Sequence, residues 1–249
     1  MKNKLLKKIA VVLFSALLIT LTAITNSAVV YTGGSTKKLP IYSVMRKDNK
    51  ISISFDCAYG VEYTDKILQV LKEYNVTCTF FAVEFWVEKY PEYAKKIVDA
   101  GHELQTHSKT HPKMSKLSKS EIENELKSSI NKIESVTNSK VTLFRAPFGD
   151  YNNNVISVAE SLGLYVIQWS VDSIDWKDIS AKQIAERVVT KTQSGSIILC
   201  HNNGLHTAEA LPSILGRLKQ KGYNFVKISD LIYKNNYEIN AFGEQIPSA

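Results

Sequence analysis

The chain lacks covalent reinforcement. Its 249 residues include three cysteines, Cys57, Cys78 and Cys200, an odd number with no C-x-x-C pair, so no disulfide framework can be read from them. It also lacks an internal repeat, a low-complexity segment or any sign of a second folded domain. No charged residue occurs between Lys8 and Lys37. A basic stripe is missing too. The net charge is +7, but the first eight residues hold four lysines and no acid, and removing those four leaves +3 for the rest. A near-neutral remainder argues against a nucleic-acid partner, which clustered Lys and Arg would have to recognise through its phosphates.

Apolar residues make up 44% of the chain, enough for one large core. The basic N-terminus is followed by an apolar run over residues 9–24, which resumes at Ala28-Val29-Val30. That order is the pattern of an export signal whose lysines stay cytoplasmic. Asn26-Ser27-Ala28 is a poor A-x-A cleavage site, and counted through Val30 the run is about long enough to span a bilayer. Residues 1–30 are therefore expected to form an uncleaved signal-anchor helix. It would make the protein a single-pass component of the cell membrane with its folded domain extracytoplasmic; a cleaved, secreted form is the alternative. Residues 31–50 read as a polar connector and entry to the domain, 51–235 as the main folded domain, and 236–249 as a polar tail.

Beyond the connector the chain alternates strand and helix. Residues 51–55 alternate with period two. Thr64 can cap a helix carrying Ile67, Leu68, Leu71 and Tyr74. A strand over 78–83 follows, with Cys78 as a small buried residue in it. Pro91 then stands in a first helical turn, and Gly101 closes that helix. Ser118-x-x-Glu121 is a capping box ahead of Ile122, Leu126, Ile130 and Ile133. Further strands are expected near 143–144, 165–169, 197–200 and 225–228, with helices starting near Asn152, Ser180 and Thr207. About seven strands in β-α alternation predict a parallel sheet, closed as a barrel or open and doubly wound.

The polar residues of interest follow these strands: Asp56, His107, Arg145, Asp172, Asp175 and His201. In a parallel βα fold the C-terminal strand ends share one face, where active sites are built. One such residue means little, since solvated loop residues are common there; five strand ends that all carry such residues mean more. His107 and His111 are four apart, which on a helical turn sets both imidazoles within reach of one metal ion. Two surface histidines are the alternative.

The ordered set resembles the NodB-type polysaccharide deacetylases of carbohydrate esterase family 4. Ser54-Phe55-Asp56-Cys57 is similar to a T-F-D-D motif, His107-Ser108-Lys109-Thr110-His111 to H-[ST]-x-x-H, and Arg145-Ala146-Pro147-Phe148-Gly149 to R-x-P-Y-G. Asp172-Ser173-Ile174-Asp175-Trp176 matches D-x-x-D-W, and Leu199-Cys200-His201 matches L-x-H. Leu39-Pro40-Ile41-Tyr42-Ser43-Val44 further resembles the PdaB-like sporulation branch.

The resemblance implies an irregular (β/α) barrel of about seven parallel strands. It also implies hydrolytic N-deacetylation of GlcNAc or MurNAc in peptidoglycan, by water attack assisted by a divalent metal such as zinc. Asp56 would be the general base, oriented by Arg145, and His201 the general acid, held by Asp175. Phe148, preceded by Pro147, would offer a backbone N–H to the oxyanion, and Leu199 and Trp176 would line the acetyl pocket. His107 and His111 would bind the metal. The departure is Cys57, where the family has its third ligand. Three readings stay open there: a thiolate ligand, a substitute carboxylate from Glu62 or Asp65, or no third ligand. With the last, the protein would be a catalytically impaired glycan-binding or morphogenetic protein that keeps the deacetylase cleft.

Overall fold

The computed structural model describes residues 37–248. After a short β1 (Ser43–Val44), β2 (Lys50–Cys57) forms the longest strand, and its alternation sets the plan of the molecule. Ile51, Ile53, Phe55 and Cys57 pack into the main hydrophobic cluster beneath the helices, while the polar Ser52, Ser54 and Asp56 take the intervening positions.

The chain continues through β3 (Thr79–Ala82), β4 (Glu103–Thr106), β5 (Leu143–Phe144), β6 (Tyr165–Val166), β7 (Val171–Asp172), β8 (Ile197–His201) and β9 (Asn224–Phe225). These strands and β2 form one eight-stranded parallel sheet in the order β6-β5-β4-β3-β2-β8-β7, with β9 paired to the start of β2. A hairpin of β10 (Tyr237–Ile239) and β11 (Glu244–Pro247) follows, and β11 pairs with β1 in a separate three-stranded sheet.

The irregular barrel of about seven strands implied by the resemblance is corrected to an open, curled sheet of eight. Four residues separate β6 from β7. Neighbouring parallel strands need a crossover of a dozen residues or more, so these two cannot pair, and the sheet stays open between them. The incoming chain occupies the gap: Ile41 N–H donates to Val166 O at 2.8 Å, and Gln168 N–H donates to Ile41 O at 2.7 Å. A second apolar cluster, including Ile41, Val44, Phe81, Leu143, Ile167 and Ile197, fills the concave side.

Helix ends follow local chemistry. Ser118 and Ser180 both make full capping boxes, with Glu121 and Gln183, and Asn152 caps its helix through Val155 N–H. Thr64 is instead the first residue of its helix, Thr64–Glu73, behind Tyr63.

The signal-anchor helix expected over residues 1–30 lies outside the described residues. Among those that are described, no helix is long and apolar enough to cross a membrane. The single-pass, extracytoplasmic placement and the membrane partner that went with it rest on that segment and find no support among the described residues.

Candidate active site

The parallel sheet brings the C-terminal ends of β2, β4, β5, β7 and β8 to one cleft of about 670 Å³. Asp56, His107, His111, Phe148, Asp172, Trp176, Leu199 and His201 line it. Arg145 lies beneath, fully buried, with its guanidinium 4.2 Å from the Phe81 ring centroid. Its Nη1 donates to Asp56 Oδ1 at 2.7 Å, and its Nη2 donates to Gln168 O at 3.3 Å. Burial alone would push the Asp56 carboxyl up, but the Arg145 guanidinium outweighs it and holds the group below the usual carboxylate range.

A second pair forms across the cleft. Asp175 is fully buried and accepts three hydrogen bonds: from His201 Nδ1–H at 2.7 Å, from His201 backbone N–H at 2.8 Å, and from Thr207 Oγ1–H at 2.6 Å. Burial opposes both charges. The bonds prevail, lowering the Asp175 pKa and raising that of His201. Gly204 closes over this pair, where a Cβ would collide with Thr207 Oγ1 and lie 2.9 Å from Asp175 Oδ2. The intervening loop is strained: Ile174, a β-branched residue, sits at φ +52°, in the left-handed region.

His107 and His111 come together, their ring centroids 5.0 Å apart, but the helical turn inferred from their spacing is absent. The link is an irregular loop with Ser108 at φ +78° and His111 at φ +58°. Glu125, from the helix Lys119–Thr137, holds it by accepting hydrogen bonds from Lys109 N–H, Thr110 N–H and Thr110 Oγ1–H. His107 Nδ1–H donates to Arg145 O at 2.8 Å, which turns Nε2 toward Asp56 Oδ2, 3.5 Å away. Burial lowers the His107 pKa to about 4, so the ring is neutral near pH 7.

This donor set does not fit the expected metal. Cys57 is wholly buried in the helix-facing layer, its Sγ 3.9 Å from Phe55 O, and burial pushes its thiol well above the usual range. It presents no thiolate to the cleft. Asp65 is engaged by Lys96, and neither it nor Glu62 lines the cleft. Among the described residues no group of three or more His, Cys, Asp or Glu side chains could hold a metal ion. The expected zinc, and Cys57 as its ligand, are corrected on that ground.

Leu199 is buried at the cleft, and Pro147 is buried behind Phe148. Phe148 itself adopts φ +60° and is 65% exposed; with Trp176 at 56% and Tyr59 at 60% it forms an aromatic rim. Tyr59, Trp169, Asp178 and the loop-holding Glu125 were not among the residues singled out in the sequence. Tyr59, three positions past Asp56, had proximity to a motif as its signal. Cys78 and Cys200 are buried and unbridged.

Comparison with known proteins agrees with the motif order. The polysaccharide deacetylase family model matches residues 43–167. YlxY, an uncharacterized protein of Bacillus subtilis, is 33% identical over 193 residues, covering 78% of this chain and 60% of that protein. The peptidoglycan-N-acetylglucosamine deacetylase PgdA of Listeria monocytogenes is 34% identical over 197 residues, 79% of this chain and 42% of that one. The chain thus spans less than two thirds of either relative. Among solved structures, BA3943 of Bacillus anthracis, a carbohydrate esterase family 4 pseudoenzyme, superposes with a TM-score of 0.75 at 37% identity, covering 77% of this chain and 68% of that one. A mutant of BA3943 has restored enzymatic activity.

Proposed function

This chain belongs to the NodB-type polysaccharide deacetylases of carbohydrate esterase family 4, and we propose that within the family it is a glycan-binding or morphogenetic protein that keeps the deacetylase cleft with impaired turnover. The observation that carries this reading is the burial of Cys57 in the helix-facing layer, which leaves the metal-ligand position of the first motif without a ligand. Likeness to a pseudoenzyme supports it. The ligand is cell-wall glycan, the chemistry on which relatives such as PgdA act. Phe148 with Pro147, Leu199 and Trp176 serve as glycan contacts, as aromatic faces and apolar walls do for sugar rings. A place in the PdaB-like branch, and with it a role in spore formation, is part of the proposal and rests on residues 39–44.

The intact Asp56–Arg145 and Asp175–His201 pairs favour a second reading. In it the protein hydrolyses the N-acetyl group of GlcNAc or MurNAc, with Asp56 as base and His201 as acid. Purified protein incubated with peptidoglycan separates the two. Saturable binding without acetate release above background is the expected result, and Cys57→Ala should leave that binding unchanged. Acetate release that Asp56→Asn abolishes would establish the second reading and overturn the first.

A further inference from the structure

Two acceptors converge at the base of the cleft with no hydrogen-bond donor between them. His107 spends its Nδ1–H on Arg145 O, and Asp56 Oδ1 takes the Arg145 proton at 2.7 Å. That leaves the Nε2 lone pair and Asp56 Oδ2 facing each other across 3.5 Å, on side chains 3% and 8% exposed. Among the described residues no hydrogen-bond donor reaches Oδ2, and two lone pairs so close repel until a donor comes in against both.

The wall above is acidic. Asp56 is balanced by Arg145, and His201 by Asp175. Asp172 and Asp178 also line the cleft and form no ion pair among the described residues; Asp172 Oδ1 accepts Ile174 N–H at 2.7 Å. No lysine or arginine lines the cleft. Beside the rim, Lys177 Nζ lies 4.9 Å from the Trp176 ring centroid. A concave site with unbalanced carboxylates concentrates cations.

We propose that this cleft binds the de-N-acetylated, ammonium-bearing form of amino-sugar glycan in preference to the acetylated form. An ammonium carries three N–H donors on one charged atom, so it can serve Asp56 Oδ2 and His107 Nε2 together. An acetamide offers a single N–H and brings a carbonyl oxygen, a third acceptor, to the same place. The aromatic rim of Tyr59, Phe148 and Trp176 accepts sugar rings of either form, so the choice falls to the acceptor pair and the carboxylates of Asp172 and Asp178. The proposal rests on the glycan-binding reading above and names the chemical form that is bound. It makes the protein a reader of glycan that a deacetylation reaction has already modified.

The test is isothermal titration of the full chain with glucosamine and N-acetylglucosamine oligomers of equal length, at about pH 6, where such amines are protonated. The glucosamine oligomer should bind at least about tenfold tighter, as charge-assisted hydrogen bonds require, with the margin shrinking as salt is added. Asp178→Asn, an exposed change that does not endanger folding, should reduce the preference, and Asp56→Asn should remove it. Equal or tighter binding of the acetylated oligomer overturns this proposal while the glycan-binding reading stands. If neither oligomer nor peptidoglycan binds, both fall.

Discussion

Replacing Arg145 with methionine should expose how much of the site rests on one buried ion pair. The side chain is fully buried, donates to Asp56 Oδ1 at 2.7 Å, and stacks 4.2 Å from the Phe81 centroid. Methionine keeps much of the volume but leaves Asp56 ionised, 6% exposed and without its partner. Breaking a buried pair in this way costs about 3–5 kcal/mol, because the remaining charge keeps its desolvation penalty. In a chain of this size that corresponds to a fall in Tm of roughly 6–20 °C.

The pH dependence gives the sharper readout. In the wild type the Asp56 pKa is lowered, so its contribution is present above the ordinary carboxylate range and is lost as pH falls through the folded value. In Arg145→Met burial acts with little opposition and the same pKa rises. Between the ordinary and the raised value the variant then takes up a proton on folding, so its deficit against wild type should shrink as pH falls from 7 through that raised pKa. Asp56→Leu added to Arg145→Met should recover most of the loss, since replacing both partners of a buried pair with apolar groups is often neutral. Urea unfolding of the three proteins at several pH values measures all of this. A deficit that stays constant with pH, or a double variant no more stable than Arg145→Met, would refute the claim that an unpaired Asp56 charge is the cause.

Two further outcomes follow from the other contacts. Asp175→Asn should lower the His201 pKa, because burial stays while the directly bonded counter-charge goes and only Asp56 and Asp172 are left to raise it. NMR titration of the ring would show it, with a stability deficit largest below about pH 6.5 and narrowing as pH rises through the wild-type His201 pKa; an unmoved ring titration would contradict the pairing. Glu125→Ala should cost about 1–3 kcal/mol by stripping acceptors from Lys109 and Thr110, and should speed amide exchange at those two residues, whereas exchange rates equal to wild type would show that the loop is held elsewhere.

Much of the architecture was legible because it is local. Both Ser-x-x-Glu/Gln capping boxes, the β2 alternation and the strand-end placement of Asp56, Arg145, Asp175 and His201 depend on neighbours in the chain. What was not legible depends on distant partners. Residues 165–169 read as one strand, yet the segment ends as a strand at Val166 because Gln168 and Val166 bond to Ile41, more than a hundred residues earlier. That interruption separates β7 as an eighth strand and keeps the sheet open. Glu125 looked like a polar position between Ile122 and Leu126 on an amphipathic helix. Its role appears only when the Lys109–Thr110 backbone arrives beside it. The i, i+4 spacing of His107 and His111 identified neighbours correctly but for the wrong reason, since a loop with two left-handed residues joins them.

Cys57 is the instructive case, because its sequence context held two signals that disagree. Motif order places it beside Asp56 at a ligand position, and consecutive residues of a motif invite being read as consecutive members of a site. Strand periodicity says otherwise: Ile51, Ile53 and Phe55 share a face, and residue 57 continues that series with period two. The structure follows the periodicity. Cys57 joins Ile53 and Phe55 under the helices, while Asp56 turns to Arg145 and the cleft. A carboxylate at that position could reach the cleft only by leaving the series, whereas a thiol gains by staying, since a free cysteine behaves as a small hydrophobe. The chemical difference between Asp and Cys therefore acts through burial before it acts through metal affinity. The cleft consequently keeps its base-like and acid-like pairs intact and loses the one position whose side chain would have had to oppose the strand's own packing.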